Sequence, residues 1–289
     1  MKLGIANPQT ELGGSPEAAR KIILGAEAMG FDHFVTYDHP VGADHADRKP
    51  RLLGPYTLEH AFHDPFTFLT YAAALTSRIE LMTSVLLLPQ RQTVLVAKQA
   101  TDVALFSDDR FIMAVGTGWN WVEYNALGRD YAMRGKLLDE QVPLLRRLWS
   151  EEVISHEGLL ERFERAGLVV RPRKMIPIWF GGMKDPAFRR AARLGDGFVF
   201  AGGKYGDPHN SWERVKHFLA ENGRSDANFY RNIIVGDGPE DAQTIADELK
   251  RWRDAGHQYG TIQSTWRGLK TAEEHLEFFQ DVADKFRAS

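Results

Sequence analysis

Eight times along this chain, an apolar run typical of a buried strand is followed by a segment with helical periodicity. The second of these strands reads "HFVTYDHP", and the last reads "QYGTIQST" before the closing helix "TAEEHLEFFQDVADKF". Apolar strands that alternate with amphipathic helices are typical of a parallel sheet covered by helices. Eight such units in 289 residues favour an α/β fold with a closed (β/α)8 TIM barrel, which commonly needs about 250 residues. A doubly wound open sheet remains the alternative, because the pattern alone does not exclude it.

The composition excludes several functional classes. A net charge of -3 without a basic stripe argues against a nucleic-acid partner. No apolar run approaches the roughly 20 residues that span a bilayer, so we expect no membrane partner. The absence of cysteine excludes disulfides, thiol nucleophiles and zinc-thiolate sites. Together with the lack of an export signal at the start, it leads us to expect a cytoplasmic protein. We expect a single domain over residues 1–289, with insertions near 41–64 and 151–176.

A carboxylate and an imidazole stand together at the end of the second strand, where Asp38 and His39 follow "HFVTY". In a (β/α)8 barrel the active site lies at the carboxyl ends of the strands. These two side chains are therefore candidates for the chemistry. The competing interpretation is an ordinary strand end that reaches solvent.

Other strand ends suggest a bound ligand. The third strand contains Thr83-Ser84 inside an apolar run, which could bend the backbone toward a planar group. The fourth ends in "VGTGW", whose glycines permit close backbone approach. The fifth ends in Gly181-Gly182 just before a helix, and the sixth ends in "GGKYG" with a lysine. Backbone amides at a helix start, next to a lysine, suit a phosphate. A phosphate at strands five and six and a flat ring near strands two to four are the layout expected for a flavin-like mononucleotide.

Several long segments resemble one known family over nearly the whole chain. They are "AEAMGFDHFVTYDH", "LMTSVLLLPQRQTVLVAKQATDVALFSDDRFIMAVGTGWNWVEY", "IPIWFGG" and "AARLGDGF". The chain resembles the bacterial luciferase-like family, and its Asp-His pair is similar to the branch that uses coenzyme F420, a deazaflavin. The resemblance implies an oxidoreductase that moves a hydride between F420 and a small organic substrate, and a homodimer. An FMN-dependent monooxygenase of the same family is the alternative.

The resemblance also implies roles for individual residues. His39 would lie beside the reacting carbon of the deazaflavin, with Asp38 at the ring edge, and these two are the predicted catalytic residues. The peptide bond between Ser84 and Val85 matches the position of a non-prolyl cis peptide behind the ring. The predicted cofactor-binding set is Asp38, His39, Ser84, Val85, Thr117, Gly118, Gly181, Gly182, Gly203 and Lys204.

One position departs from the family pattern and bears on the substrate. The sugar-phosphate dehydrogenases of the family have an acidic glutamate after "GTG", whereas this chain has Trp119. An aromatic ring cannot donate that proton, so we expect a different substrate and an apolar wall formed by Trp119 and Trp121. The insertion near 41–64 supplies Tyr56 and His60, which we expect to line the substrate side together with Trp119.

Two interpretations from other classes remain open. A metal-dependent barrel hydrolase could use the oxygen and imidazole ligands of the first insertion and its flanks. The residues concerned are Asp38, His39, Asp44, His45, Asp47, His60, His63 and Asp64. Most of them fall in a polar, irregular segment where such charges are usually solvated, so we predict no metal. A protein that binds the cofactor without catalysis is the third possibility.

Overall fold

The computed structural model describes residues 1–288, apart from the side chain of Lys204. Its strands are β1 (Lys2–Ala6), β2 (His33–Thr36), β3 (Glu80–Leu87), β4 (Phe111–Gly116), β5 (Ile154–Glu157), β6 (Arg162–Ala166), β7 (Ile178–Gly181), β8 (Gly197–Ala201), β9 (Tyr230–Val235) and β10 (Tyr259–Ile262). Eight of them form a closed parallel barrel in the order β1-β10-β9-β8-β7-β4-β3-β2. Because β1 pairs with both β10 and β2, this sheet has no open edge. The TIM barrel is confirmed over the doubly wound sheet, and predicted strands five to eight are β7 to β10.

Helices follow the barrel strands as the periodicity predicts. They are α1 (Pro16–Ala28), α2 (Pro65–Leu75), α3 (Thr93–Phe106), α4 (Trp121–Ala126), α5 (Arg134–Ser150), α6 (Asp185–Leu194), α7 (Pro208–Glu221), α8 (Ala242–Asp254) and α9 (Ala272–Arg287). The short helix α4 was not expected from the sequence. Single 3-10 turns cover Leu88–Gln90, Tyr131–Met133 and Gly203–Tyr205. In residues 1–288, no helix has both the length and the apolar character that a membrane crossing requires.

The strands read as continuous apolar runs because both of their faces are buried. Outward side chains such as Phe34 and Phe180 pack under the helices. Inward side chains such as Met82 and Trp179 fill the barrel interior. A parallel sheet covered on both faces produces this pattern.

A polar network fills the interior near the amino ends of the strands. The Nε2 atom of His33 lies 2.7 Å from Thr261 Oγ1, and the Thr261 hydroxyl donates to Asn232 Oδ1 at 3.0 Å. Burial, assisted by Lys2, lowers the pKa of His33 to about 3, so this ring is neutral. This part of the barrel is filled by side chains, and the active site of such barrels lies at the opposite end.

The two predicted insertions differ in structure. Residues 41–64 contain no helix or strand and lie between β2 and α2. Residues 151–176 include an antiparallel hairpin of β5 and β6. Glu161 of this hairpin accepts the backbone N–H of Thr93 at 2.5 Å, and Leu159 donates to Glu140 at 2.9 Å. The hairpin is thus attached to α3 and α5, whereas the first insertion reaches the barrel mouth.

Candidate functional site

His39 follows β2 by three residues and lies at the carboxyl end of the barrel. Its Nδ1 atom is 2.6 Å from Glu123 Oε1 on α4. The ring packs against Tyr56, Phe62 and Trp119, with ring centroids 5.0, 4.7 and 5.7 Å away. The His39 side chain is 10% exposed. These contacts hold the imidazole in one orientation and bring two predicted substrate residues, Tyr56 and Trp119, beside it.

The third predicted substrate residue lies farther from His39. His60 packs against Tyr56 and Trp266, with centroid distances of 5.7 and 5.2 Å. Its Nδ1 atom accepts the backbone N–H of Thr57 at 3.0 Å. Tyr56 also stacks on Trp266 at 6.2 Å. The first insertion therefore extends across the mouth, from the loop after β4 to the loop after β10.

Asp38 is buried and has protein partners on both carboxylate oxygens. It accepts the Leu87 backbone N–H at 2.9 Å and Arg91 Nη2 at 2.8 Å. Arg91 also bonds to Asp64, the N-cap of α2. Burial lowers the pKa of Arg91, but Asp38 and Asp64 more than offset this, so the pKa is raised overall. Asp38 thus connects β2, the end of β3 and α2, and its contact with a ring edge stays a prediction.

Val85 forms a floor at the barrel mouth. The peptide bond between Ser84 and Val85 is cis, which confirms the bond that the resemblance implied. The pairing register of β3 and β4 shifts between Thr83 and Leu86, around this bond. A Cβ added to Gly116 or Gly181 would lie 2.6 or 2.5 Å from a Val85 methyl group. The two glycines leave just enough room for the valine, which caps the apolar interior of the barrel.

The segment after β4 borders this floor. The Thr117 carbonyl accepts the Tyr124 hydroxyl at 2.6 Å. Gly118 has a φ of +65°, and a Cβ there would be 3.0 Å from the Leu87 side chain. Glycine is favoured in this left-handed conformation. The predicted backbone contacts of Thr117 and Gly118 with a cofactor remain predictions.

A cavity of about 540 Å³ opens beside the floor, at the ends of β7 and β8 and the starts of α6 and α7. Its polar and charged lining includes Lys184, Asn210, Ser211 and Arg214. Arg214 pairs with Asp185 at the first turn of α6. Helix starts and a guanidinium are groups that bind phosphate. The sequence located this region but did not indicate Asn210, Ser211 or Arg214.

The residues predicted to bind phosphate do not all line this cavity. Gly182 lines it, and Gly181 connects it to the Val85 floor. Gly203 lies on the adjacent 3-10 turn, from which Tyr205 reaches the cavity lining. The side chain of Lys204 lies outside the part of the chain that the structure describes.

Three partly buried tyrosines lie near Asp237. Burial raises the pKa of Tyr37 and Tyr56, and Asp237 adds to the effect on both. Burial and a hydrogen bond to Asp237 raise the pKa of Tyr205. The Tyr37 hydroxyl donates to Gln263 Oε1 at 2.9 Å. These phenols stay protonated at neutral pH and supply hydrogen-bond donors without charge.

The residues at the mouth fit a phosphorylated planar cofactor. The Val85 methyl groups offer an apolar surface for a planar ring. The helix starts and Arg214 around the cavity offer donors for a phosphate.

Glu123 is the site residue that the sequence analysis missed. Asn120 and Glu123 have the spacing of a capping box, which is a common helix-start signal without functional meaning. Asn120 does cap α4, accepting the Val122 N–H at 3.1 Å. Glu123, however, bonds to His39 and to Gln90 Nε2, the latter at 2.9 Å. Only the contact with His39, 84 residues away in sequence, shows that Glu123 belongs to the site.

The side chains considered as metal ligands have separate partners. His45 bonds to the Tyr56 carbonyl at 3.0 Å, and Asp64 caps α2. Within residues 1–288, no group of three or more His, Cys, Asp or Glu residues is arranged to hold a metal ion.

Comparison with known proteins identifies a matching family model, an uncharacterised relative and an F420-dependent relative. The model of the luciferase-like monooxygenase family matches residues 1–285. An uncharacterised protein of Mycobacterium tuberculosis is 34% identical over 240 residues, covering 80% of this chain and 79% of that protein. An F420-dependent glucose-6-phosphate dehydrogenase of Intrasporangium calvum is 33% identical over 187 residues, covering 62% of this chain and 52% of the dehydrogenase.

Solved structures share the fold at low sequence identity. An F420-dependent secondary alcohol dehydrogenase, crystallised with an F420-acetone adduct, superposes with a TM-score of 0.78 at 16% identity, covering 99% of this chain and 100% of that one. The FMN-bound 3,6-diketocamphane monooxygenase of Pseudomonas putida has a TM-score of 0.66 at 18% identity, covering 89% and 77%. At these identities the likeness establishes the fold alone.

Proposed function

Because this chain belongs to the luciferase-like monooxygenase family, we propose that it is an oxidoreductase that transfers a hydride between coenzyme F420 and a small organic substrate. Relatives and structural neighbours include both F420-dependent and FMN-bound enzymes. The preference for F420 rests on the Asp38-His39 pair, which resembles the F420-using branch.

The observation that carries the proposal is the position of His39 at the mouth. The Nε2 atom of His39 has no hydrogen-bond partner among the described residues and is not sealed from solvent. An imidazole can give or take a proton near neutral pH. A free ring nitrogen beside an aromatic wall is therefore suited to exchange a proton with a substrate oxygen.

The other residues of the mouth would bind and orient the reactants. When bound, F420 supplies a ring carbon that accepts or donates a hydride. Asn210, Ser211 and Arg214 would hold its phosphate. Val85 covers one side of the ring site and leaves the other side for the substrate. Tyr56, Phe62 and Trp119 would exclude water there, as the chemistry requires.

Titration of the purified protein with F420 and with FMN tests this proposal. We expect a saturable change in F420 absorbance and fluorescence, with much weaker binding of FMN. Tight binding of FMN alone would instead indicate a flavin-dependent monooxygenase. Binding of F420 without turnover on any compound of a panel of small alcohols and carbonyls would indicate a cofactor-binding protein.

Replacement of His39 tests its part in the reaction. With the best substrate of that panel, His39→Ala should lower turnover about tenfold or more, since positioned proton transfer contributes at least this much. The far-ultraviolet circular dichroism and the F420 affinity should remain close to those of the parent protein. Full turnover in this variant would remove His39 from the chemistry.

A further inference from the structure

A fully buried carboxylate lies directly behind the proposed proton carrier. Glu123 has 0% side-chain exposure, and its Oε1 atom is 2.6 Å from His39 Nδ1. Its second oxygen accepts the Gln90 amide N–H at 2.9 Å. Burying a carboxylate is costly unless both oxygens find donors. Gln90 is one donor, and the ring nitrogen of the histidine at the mouth lies where a second donor is needed.

Glu123 is the carboxylate that pairs with His39. Among the described residues, the aromatic rings that pack on His39 are those of Tyr56, Phe62 and Trp119, which are uncharged. The adjacent Asp38 is directed to Arg91 and the Leu87 N–H. A carboxylate that accepts from one ring nitrogen fixes the tautomer and leaves the lone pair on the other nitrogen.

We propose that Glu123 is a positioning residue, which acts through His39 and need not touch the substrate. It holds neutral His39 with the proton on Nδ1, so that Nε2 faces the mouth as a proton acceptor. It also balances the positive charge that the ring carries after Nε2 has taken a proton. The expected effect of Glu123 on turnover rests on the proposed function. The tautomer of His39 can be observed without any coenzyme.

Nitrogen-15 NMR of the histidine-labelled protein tests the tautomer directly. The His39 signals are those that vanish in His39→Gln, and they are recorded without coenzyme at a pH where the ring is neutral. We expect a protonated Nδ1 and a bare Nε2. The opposite tautomer in the parent protein overturns the inference. This measurement decides the question even if every Glu123 variant fails to fold.

Glu123→Gln separates the charge of this side chain from its shape. The Gln90 Oε1 atom is buried without a partner among the described residues, so the Gln90 amide can turn and accept from the new side chain. The variant should fold and keep its F420 affinity, and its amide oxygen can still accept from Nδ1, so the tautomer should persist. Turnover should fall about tenfold or more, because the charge that balances protonated His39 is lost.

A second histidine–glutamate pair provides the matched control. Glu140 lies 3.3 Å from His156 Nε2, between α5 and the β5–β6 hairpin. Glu140→Gln should leave both the His39 signals and turnover unchanged. If Glu123→Gln keeps the parental turnover, the inference is wrong while the proposed function stands. If F420 fails to bind but the parent protein carries the proton on Nδ1, the proposed function is wrong while the positioning role stands.

Discussion

At the residue scale, the neighbouring residues Asp38 and His39 have different hydrogen-bond partners. His39 faces the aromatic wall and Glu123, whereas Asp38 faces Arg91 and the end of β3. Consecutive side chains that leave a strand point in different directions, so adjacency in sequence does not imply a common task. The carboxylate behind His39 is supplied by Glu123 and not by the neighbouring Asp38.

The partners of Asp38 lead to a prediction about stability. Asp38→Asn removes the charge that pairs with Arg91, while Arg91 keeps Asp64 as a second partner. Since the remaining buried charge is less well compensated, the free energy of unfolding should fall by about 1–3 kcal/mol. Urea unfolding of the parent protein and the variant measures this change.

An exposed ion pair provides the control for Asp38. Asp102 pairs with Lys98 at 3.3 Å on the surface of α3, and Asp102→Asn should change the stability by less than about 1 kcal/mol. If Asp38→Asn is as stable as this control but loses turnover, Asp38 has the catalytic role that the resemblance implies.

At the scale of elements, β3, β4 and β7 build the floor together. A distorted β3 places Val85 between a glycine of β4 and a glycine of β7. Because β7 ends with Gly181 at the Val85 floor and is followed directly by Gly182 in the cavity lining, one strand connects the floor to the cavity. A change in one strand should therefore affect ligand binding as well as packing.

Gly181→Ala tests this arrangement. The new methyl group would lie 2.5 Å from Val85 Cγ1, and overpacking of this kind costs about 1–3 kcal/mol. We expect a lower free energy of unfolding in urea and a clearly weaker F420 titration. In a Val85→Ala background the penalty for Gly181→Ala should shrink, because the clashing methyl group is gone. An equal penalty in both backgrounds would show that Val85 is not the contact that matters.

At the scale of the whole molecule, buried histidines connect stability to pH. Burial lowers the pKa of His33 and His257 to about 3 and that of His275 to about 4. Their ordinary value is 6.5. His33 lies inside the barrel, His257 stacks on Trp252, and His275 bonds to Ser264. All three rings are neutral in the folded protein near neutral pH.

The sign of the pH effect follows from these pKa values. Below pH 6.5 the unfolded chain binds protons that the folded protein does not bind, so stability falls as the pH is lowered toward 4. For His33 alone the loss of unfolding free energy at pH 5 is on the order of 2 kcal/mol.

Urea unfolding at pH 7.5 and pH 5 should show this loss, and His33→Gln should reduce the difference in unfolding free energy between the two pH values. The exposed His217 of α7 provides the control, since His217→Gln should keep the parental difference. Equal pH dependence in all three proteins would contradict the prediction.

The sequence by itself favoured the barrel and, with it, the end at which the candidate site lies. Buried strands that alternate with amphipathic helices leave few other ways to cover a parallel sheet, and the strand ends are marked by turn residues and polar side chains. His39 and Gly182 could therefore be located at strand ends in advance, whereas the cis bond between Ser84 and Val85 was implied by the family resemblance. Tyr56 and Trp119 were expected near the substrate side, and the structure brings both to His39.

Only the tertiary structure decided which side chains meet at the mouth. His39 contacts Glu123 across 84 residues, and Asp38 contacts Arg91 across 53. Glu123 looks like a helix cap and Asp38 like a catalytic neighbour when only the adjacent residues are considered. Local periodicity reports which face of a strand or helix is buried, but it carries no information about where side chains in loops point. Those directions are set by the closure of the barrel, which brings loops from distant parts of the chain to one end.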